Sequence, residues 1–313
     1  MLAKYYPEVL MLPTISLIVL SMLGCQNSIS NDKDLNDTSP VDTADSDTED
    51  VNNIEPTIEN LQQAGAYRYE SESLTRPVAS CDSDLSYTHV QTTKESASTI
   101  LLAHGFARSS ANMLDWAHHW ASWGFNVLVI DMCHFSDHEK NGNAIAELAV
   151  DLGIDAPIFA GQSAGGLASF VAGANTSNAL GVLGLDATDN MDTLGASIAA
   201  QVSIPVLGLV GESSSCNAEN NGITMLQGAS NSTLLRVLEA DHCDFEFPTD
   251  DLCTLLCQNN DATISDEAIH STILALSTAG LLWLEDNSSE AWDLWTGEQK
   301  QALIEAGAIA DIN

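Results

Sequence analysis

Residues 158–173 run Ile158-Phe159-Ala160-Gly161-Gln162-Ser163-Ala164-Gly165-Gly166-Leu167-Ala168-Ser169-Phe170-Val171-Ala172-Gly173, and their reading decides the fold. Ile158 to Ala160 is a short apolar run suited to a covered strand, and Leu167 to Ala172 suits a helix. Between them Gly161-Gln162-Ser163-Ala164-Gly165 is a G-x-S-x-G turn in strand–turn–helix context. A serine at the apex of so tight a bend takes a strained backbone, and side chains on the flanking glycines would strike the neighbouring strand and helix. The strain turns Ser163 Oγ outward, while the next amide, that of Ala164, stands at a helix start where an N–H has no helical acceptor.

Outward from this turn, short apolar runs recur without polar alternation. They are Thr99 to Ala103, Phe125 to Asp131, Leu180 to Asp186, Ile204 to Val210 and Leu234 to Leu238. Such runs fit strands covered on both faces, hence a mostly parallel sheet. Met113 to Ser122, Asn143 to Leu152 and Ala268 to Glu285 supply helices between or after them. Strands alternating with helices predict an α/β domain over residues 61–313, with helices on both faces of a central sheet: the α/β-hydrolase fold.

A serine held in this way is a nucleophile when a base stands beside it. In this kind of chain order the base comes last, after the final strand, and Glu239-Ala240-Asp241-His242-Cys243-Asp244 follows Leu234 to Leu238 there. His242 is the candidate base, ahead of His89, His118, His119 and His270. For the acid that orients it, Asp186 at the tip of one strand leads, Glu212 after the next strand is the alternative and Asp189 stands third. His104-Gly105-Phe106 closes an early strand, where a second oxyanion donor belongs; the Phe106 N–H joins that of Ala164 in this role. His104 reads as a structural hydrogen-bonding residue. The chemistry implied is acyl transfer through a Ser-His-Asp triad, which needs no cofactor and no metal. A competing metal cluster of Asp131, Cys133, His134, Asp137 and His138 has suitable residue types, but a rim loop with a disulfide at Cys133 is the simpler reading.

The chain carries 9 Lys and Arg against 44 Asp and Glu, a formal net charge of −35. Beyond residue 60 there remain 33 acidic and 7 basic residues. Such a surface repels nucleic acid and anionic lipid headgroups and suits a salty medium. Ile15 to Leu23 is too short to span a bilayer, and with Gly24-Cys25 it reads as a signal peptide (1–25) ending in a lipoprotein processing box. Lipidation of Cys25 would attach the protein to the membrane of the cell envelope, the outer membrane in a bacterium, through an acidic, disordered tether at 26–60. Six further cysteines allow three disulfides, with Cys253 and Cys257 spaced for local closure. Trp116, Trp120 and Trp123 read as core residues.

From Ser80 to Asp286 the sequence resembles the chlorophyllase-like branch of the α/β-hydrolases, near the cutinase-like polyester hydrolases. The resemblance lies in His104-Gly105-Phe106, in Gly161 to Gly166, in Gly184-Leu185-Asp186-Ala187-Thr188-Asp189, in Ile204 to Gly211 and in Asp241-His242-Cys243-Asp244. It implies Asp186 as the triad acid. Asp241 and Cys243 depart from the branch's glycine and methionine beside the histidine. The substrate expected is a short-chain or lipid-like carboxylic ester, with polyester or chlorophyll-type esters as alternatives. A rival of another class is a non-catalytic, surface-anchored binding domain on the same scaffold.

Overall fold

Strands buried on both faces form the centre of the molecule. In the computed structural model the chain separates into two units, Met1–Asp47 and Thr48–Asn313. The described residues, 54–259 and 261–312, all belong to the second. Its strands are β1 (Tyr69–Arg76), β2 (Leu85–Thr92), β3 (Thr99–Ala103), β4 (Asn126–Asp131), β5 (Ile158–Gln162), β6 (Gly181–Leu185), β7 (Val206–Val210), β8 (Ser232–Val237) and β9 (Ile309–Asp311). They make one sheet in the order β1-β2-β4-β3-β5-β6-β7-β8-β9. β4 to β8 and β3 pair in parallel, while β1 with β2, β2 with β4, and β8 with β9 pair antiparallel.

The helices are α1 (Ile58–Leu61), α2 (Leu114–Ser122), α3 (His138–Asp151), α4 (Ala164–Ala174), α5 (Leu194–Ile198), α6 (Gly222–Gln227), α7 (Asp251–Cys257), α8 (Asp266–Asp286), α9 (Ser289–Thr296) and α10 (Glu298–Glu305). They cover both faces. Ile100 and Leu102 of β3 pack with Trp116 and Trp120 of α2, Ile273 and Leu276 of α8 and Trp295 of α9. The alternate residues Leu101 and Ala103 pack with Ile145 and Leu148 of α3 and Leu167 and Phe170 of α4. Period-two alternation in the strand thus feeds two separate cores. This is the α/β architecture expected, a mostly parallel sheet between helical layers, and it accords with the broad α/β-hydrolase arrangement.

Three strands had no counterpart in the apolar runs. β1 is exposed along nearly all its length, so it carries no hydrophobic signal. β2 alternates, burying Leu85, Tyr87, Val90 and Thr92, and His89 lies on it. β9 has only three residues.

Several expectations about the chain's start and its cysteines are corrected. Residues 1–53, with the signal peptide, Cys25 and most of the tether, lie outside the described residues. The ordered body reaches into the expected tether: Thr57 caps α1, whose Leu61 is fully buried. The cysteine pairing gives no support to membrane attachment through a lipid, nor with it to the outer-membrane location. The six cysteines of the described residues are all paired, Cys81–Cys133, Cys216–Cys257 and Cys243–Cys253, so none offers a thiol for an acyl chain. The one described helix long and apolar enough to span a bilayer, α8, is a core element with most of its apolar window buried. Cys253 and Cys257 do not bond to each other. Both lie on α7, where Cβ vectors one turn apart run parallel along the helix instead of facing one another, so each reaches out to a loop.

Candidate active site

β5 ends at Gln162 and α4 begins at Ala164, leaving Ser163 alone at the bend with φ 54° and ψ −123°. Positive φ in a residue with a side chain costs on the order of 1–3 kcal/mol, which the surrounding bonds must hold in place. Ser163 N–H donates to Leu185 O at 3.1 Å, and its carbonyl accepts from Gly166 N–H at 2.9 Å and Thr188 N–H at 3.1 Å. The bend is thereby stitched to the end of β6. Gly165 lets it approach β3: a methyl there would stand 2.4 Å from the carbonyl oxygens of Ala103 and His104. Gly105 is close as well, since a methyl on it would stand 2.2 Å from Gln162 Oε1 and 3.2 Å from Ser163 Cβ. The sequence elements at 104–106 and 161–166 are therefore neighbours in space. Ser163 is 7 % exposed, so the apex sits in a recess rather than on open surface.

Asp186 directly follows β6, with φ 42°, and is 1 % exposed. Its Oδ2 accepts from His242 Nδ1 at 2.6 Å and from Asn217 Nδ2 at 3.1 Å, and its Oδ1 accepts Gly211 N–H at 2.9 Å. Three donors converge on one buried carboxylate and hold it in place. His242 opens a 3-10 turn, His242–Phe245, capped by Asp241, whose carboxylate accepts Cys243 N–H at 2.7 Å. With the Nδ1 proton directed at Asp186, the lone pair of Nε2 is left to accept. Among the described residues it meets the Gln162 side-chain amide at 3.2 Å, and no hydrogen bond joins it to Ser163 Oγ. Gln162 Nε2 also lies 3.4 Å from His242 O, while Gln162 Oε1 is buried without a partner.

The other predicted residues separate cleanly. Glu212 accepts Glu239 N–H at 3.1 Å and lies 3.7 Å from Arg236, so it serves its own loop. Asp189 accepts the N–H groups of Gly195 and Ala196 and so holds the start of α5. Phe106 is half exposed, its ring 4.6 Å from that of Phe135, and Ala164 is the first residue of α4. His104 Nδ1 donates to Gly105 O at 2.8 Å and its Nε2 accepts Met132 N–H at 3.1 Å. Burial holds its pKa below the ordinary histidine range, in keeping with a neutral, structural ring.

Four of the five residues of the competing metal cluster are otherwise engaged, while His138, at the start of α3, is buried with no hydrogen bond to its Nδ1 among the described residues. Cys133 is in a disulfide, His134 Nε2 bonds Ser80 O at 2.6 Å, and Asp131 accepts the N–H and hydroxyl of Ser110. Asp137 caps α3.

Sequence reading gave no role to two buried amides that touch the pair, Gln162 and Asn217. The first was visible as the variable residue before the serine. The second carried one signal, its place next to Cys216. Two disulfides brace this region, because Cys216 and Cys243 are both tied to α7. α7 packs on the turns that carry Asn217 and His242 and leaves Leu252, Leu255 and Leu256 exposed. A cavity of about 410 Å³ borders the back of the His242 turn, lined by Asp241, Asp244, Phe247 and His270 among others. Compared with protein-family models and with curated proteins, the chain matches none.

Proposed function

We propose that the protein belongs to the serine hydrolases of the α/β-hydrolase fold, with Ser163 as nucleophile, His242 as base and Asp186 as acid. More particularly, we read it as a carboxylic ester hydrolase of the chlorophyllase-like and cutinase-like branch, acting on short-chain or lipid-like esters. The observation that carries the reading is the 2.6 Å bond from His242 Nδ1 to buried Asp186, in a chain where a positive-φ serine follows the strand next to that aspartate. That bond selects the tautomer in which Nε2 is basic. Ser163 would surrender its proton to Nε2 as Oγ attacks the ester carbonyl, and the imidazolium would return it to the departing alkoxide. The amides of Ala164 and Phe106 would receive the negative charge on the former carbonyl oxygen, and water, taking the place of the alcohol, would then release the acyl group by the same steps in reverse. The exposed leucines of α7 and the Phe106–Phe135 pair favour an apolar acyl or alcohol group. The high negative charge disfavours an anionic one.

One observation favours a second reading, a binding domain on this scaffold without turnover: Gln162, and not Ser163, is the hydrogen-bond partner of Nε2. An organophosphonate probe separates the two. Covalent labelling at Ser163, lost in Ser163→Ala, together with turnover of aryl esters of graded chain length, is expected of the hydrolase. A folded protein that is neither labelled nor active belongs to the second reading.

A further inference from the structure

Asn217 lies in the turn Ser215–Asn220 and is fully buried. Every hydrogen-bonding site of its amide is engaged. Nδ2 donates to Asp186 Oδ2 at 3.1 Å and to Glu212 O at 2.7 Å, while Oδ1 accepts Ser214 N–H at 2.9 Å and Asn220 N–H at 3.2 Å. The acceptor half of the amide builds the turn, and the donor half ties that turn to the acid. The turn is itself fastened at the neighbouring residue, since Cys216 is joined to Cys257 on α7. The base is fastened in the same manner: Cys243, next to His242, is joined to Cys253 on the same helix. The turn that bears Asn217 and the turn that bears the base thus hang from one short helix through two disulfides, and Asn217 links that helix to the carboxylate at the end of β6.

We propose that Asn217 is a positioning residue for the Asp186–His242 pair, and that its N–H donor, delivered by the turn stapled to α7, fixes which oxygen of Asp186 faces the imidazole. Asp186 Oδ2 has two partners, His242 Nδ1 and Asn217 Nδ2, and Oδ1 is held by Gly211 N–H, with Asn217 Nδ2 farther from it at 3.5 Å. Without the Asn217 donor, Gly211 N–H on Oδ1 is the one donor besides the imidazole, among the described residues, that restrains the carboxylate against turning about its Cβ–Cγ bond. The role concerns the geometry of the pair, and its catalytic consequence rests on the hydrolase reading above.

Two variants divide the amide's functions. Asn217→Ala removes both halves. Asn217→Asp keeps acceptors for Ser214 and Asn220 N–H but replaces the donor with a second carboxylate facing Asp186. The other charged groups near the pair are Asp241 and Asp244 on the histidine's own turn, Glu246 with its partner Arg108, and Glu212 with Arg236 across the turn after β7. All are unchanged in both variants.

The test uses the full chain labelled with 15N-histidine, with the His242 signals assigned through His242→Gln, and circular dichroism as a check on folding. In the wild type the Nδ1 proton shared with Asp186 should appear far downfield. In Asn217→Ala it should weaken or move upfield and exchange with water at least about tenfold faster. In Asn217→Asp the pH at which the His242 ring titrates should move up, because an added negative charge favours the imidazolium. Should Asn217→Ala fail to fold, the ring titration in Asn217→Asp decides alone. Folded variants whose resonance and titration match the wild type would overturn the proposal. In ester turnover, Asn217→Ala should lower kcat roughly ten- to a hundredfold with little change in KM. A wild type inert to phosphonate and esters, yet showing these NMR changes, would remove the hydrolase reading and leave the positioning role standing.

Discussion

At the scale of single residues, the geometry distinguishes carboxylates that the sequence ranks only loosely. Asp186 and Glu212 both follow apolar strands, but only Asp186 meets the imidazole. Under the proposed hydrolase function, Asp186→Asn should therefore cut kcat by about 10³- to 10⁴-fold, as expected when the wrong tautomer of a triad histidine is favoured, while Glu212→Gln leaves it within a few-fold. Equal losses in steady-state assays of the two variants would sink this assignment. A second carboxylate affects stability. Asp244 is pushed up to about 7 by burial and then by the neighbouring Asp241. Its folded pKa exceeds the unfolded one, so the native state binds the extra proton. Stability from this group is present below about pH 4 and is lost as pH rises toward 7. Asn at this position keeps an acceptor for the Asp241 N–H that Asp244 now binds at 2.7 Å. Asp244→Asn should then be more stable than the wild type by roughly 1–3 kcal/mol at pH 8 and equal to it near pH 4, read by urea unfolding at both pH values. His119 titrates in the opposite sense. Burial lowers it to about 4, so its contribution is lost as pH falls from about 6.5 toward 4, and the Asp244 effect is best read as a difference between variants.

At the scale of elements, α7 stands apart. It has seven residues, buries Cys253 and leaves three leucines in solvent. A helix so short, with little apolar surface buried, does not hold itself in water. The disulfides to Cys216 and Cys243 supply the constraint instead. Reduction should accordingly speed hydrogen exchange at the α7 amides while β5 and β6 stay protected, as followed by mass spectrometry of peptides. α7 exchanging at its oxidised rate after full reduction would contradict this. The helix is also where sequence reading went astray. Spacing of four residues suggested that Cys253 and Cys257 close on each other, and only the parallel direction of side chains along a helix turns them toward two different loops. The strands tell a similar story. β3 to β8 were legible because burial on both faces leaves a continuous apolar run, whereas β1, exposed on both faces, differs from a loop only in its pairing with β2.

At the scale of the whole molecule, charge and core answer separate questions. The formal charge of −35 on 313 residues repels itself across the surface, and salt screens that repulsion. The melting temperature should rise steadily as sodium chloride increases from low concentration to 1 M. A flat or falling curve would mean that the acidic groups are already neutralised within the fold.

The sequence by itself determined the layered α/β architecture and the serine bend, because runs of apolar residues and a glycine-flanked turn act locally, through burial and backbone sterics. It also placed His242 and Asp186 at the ends of the right strands. Tertiary structure alone decided which carboxylate the imidazole meets, that Asn217 and Gln162 are the amides touching the pair, and which cysteines bond. Those partners lie 10 to 80 residues apart along the chain, and no periodicity links them. They meet only because parallel strands end side by side at one edge of the sheet.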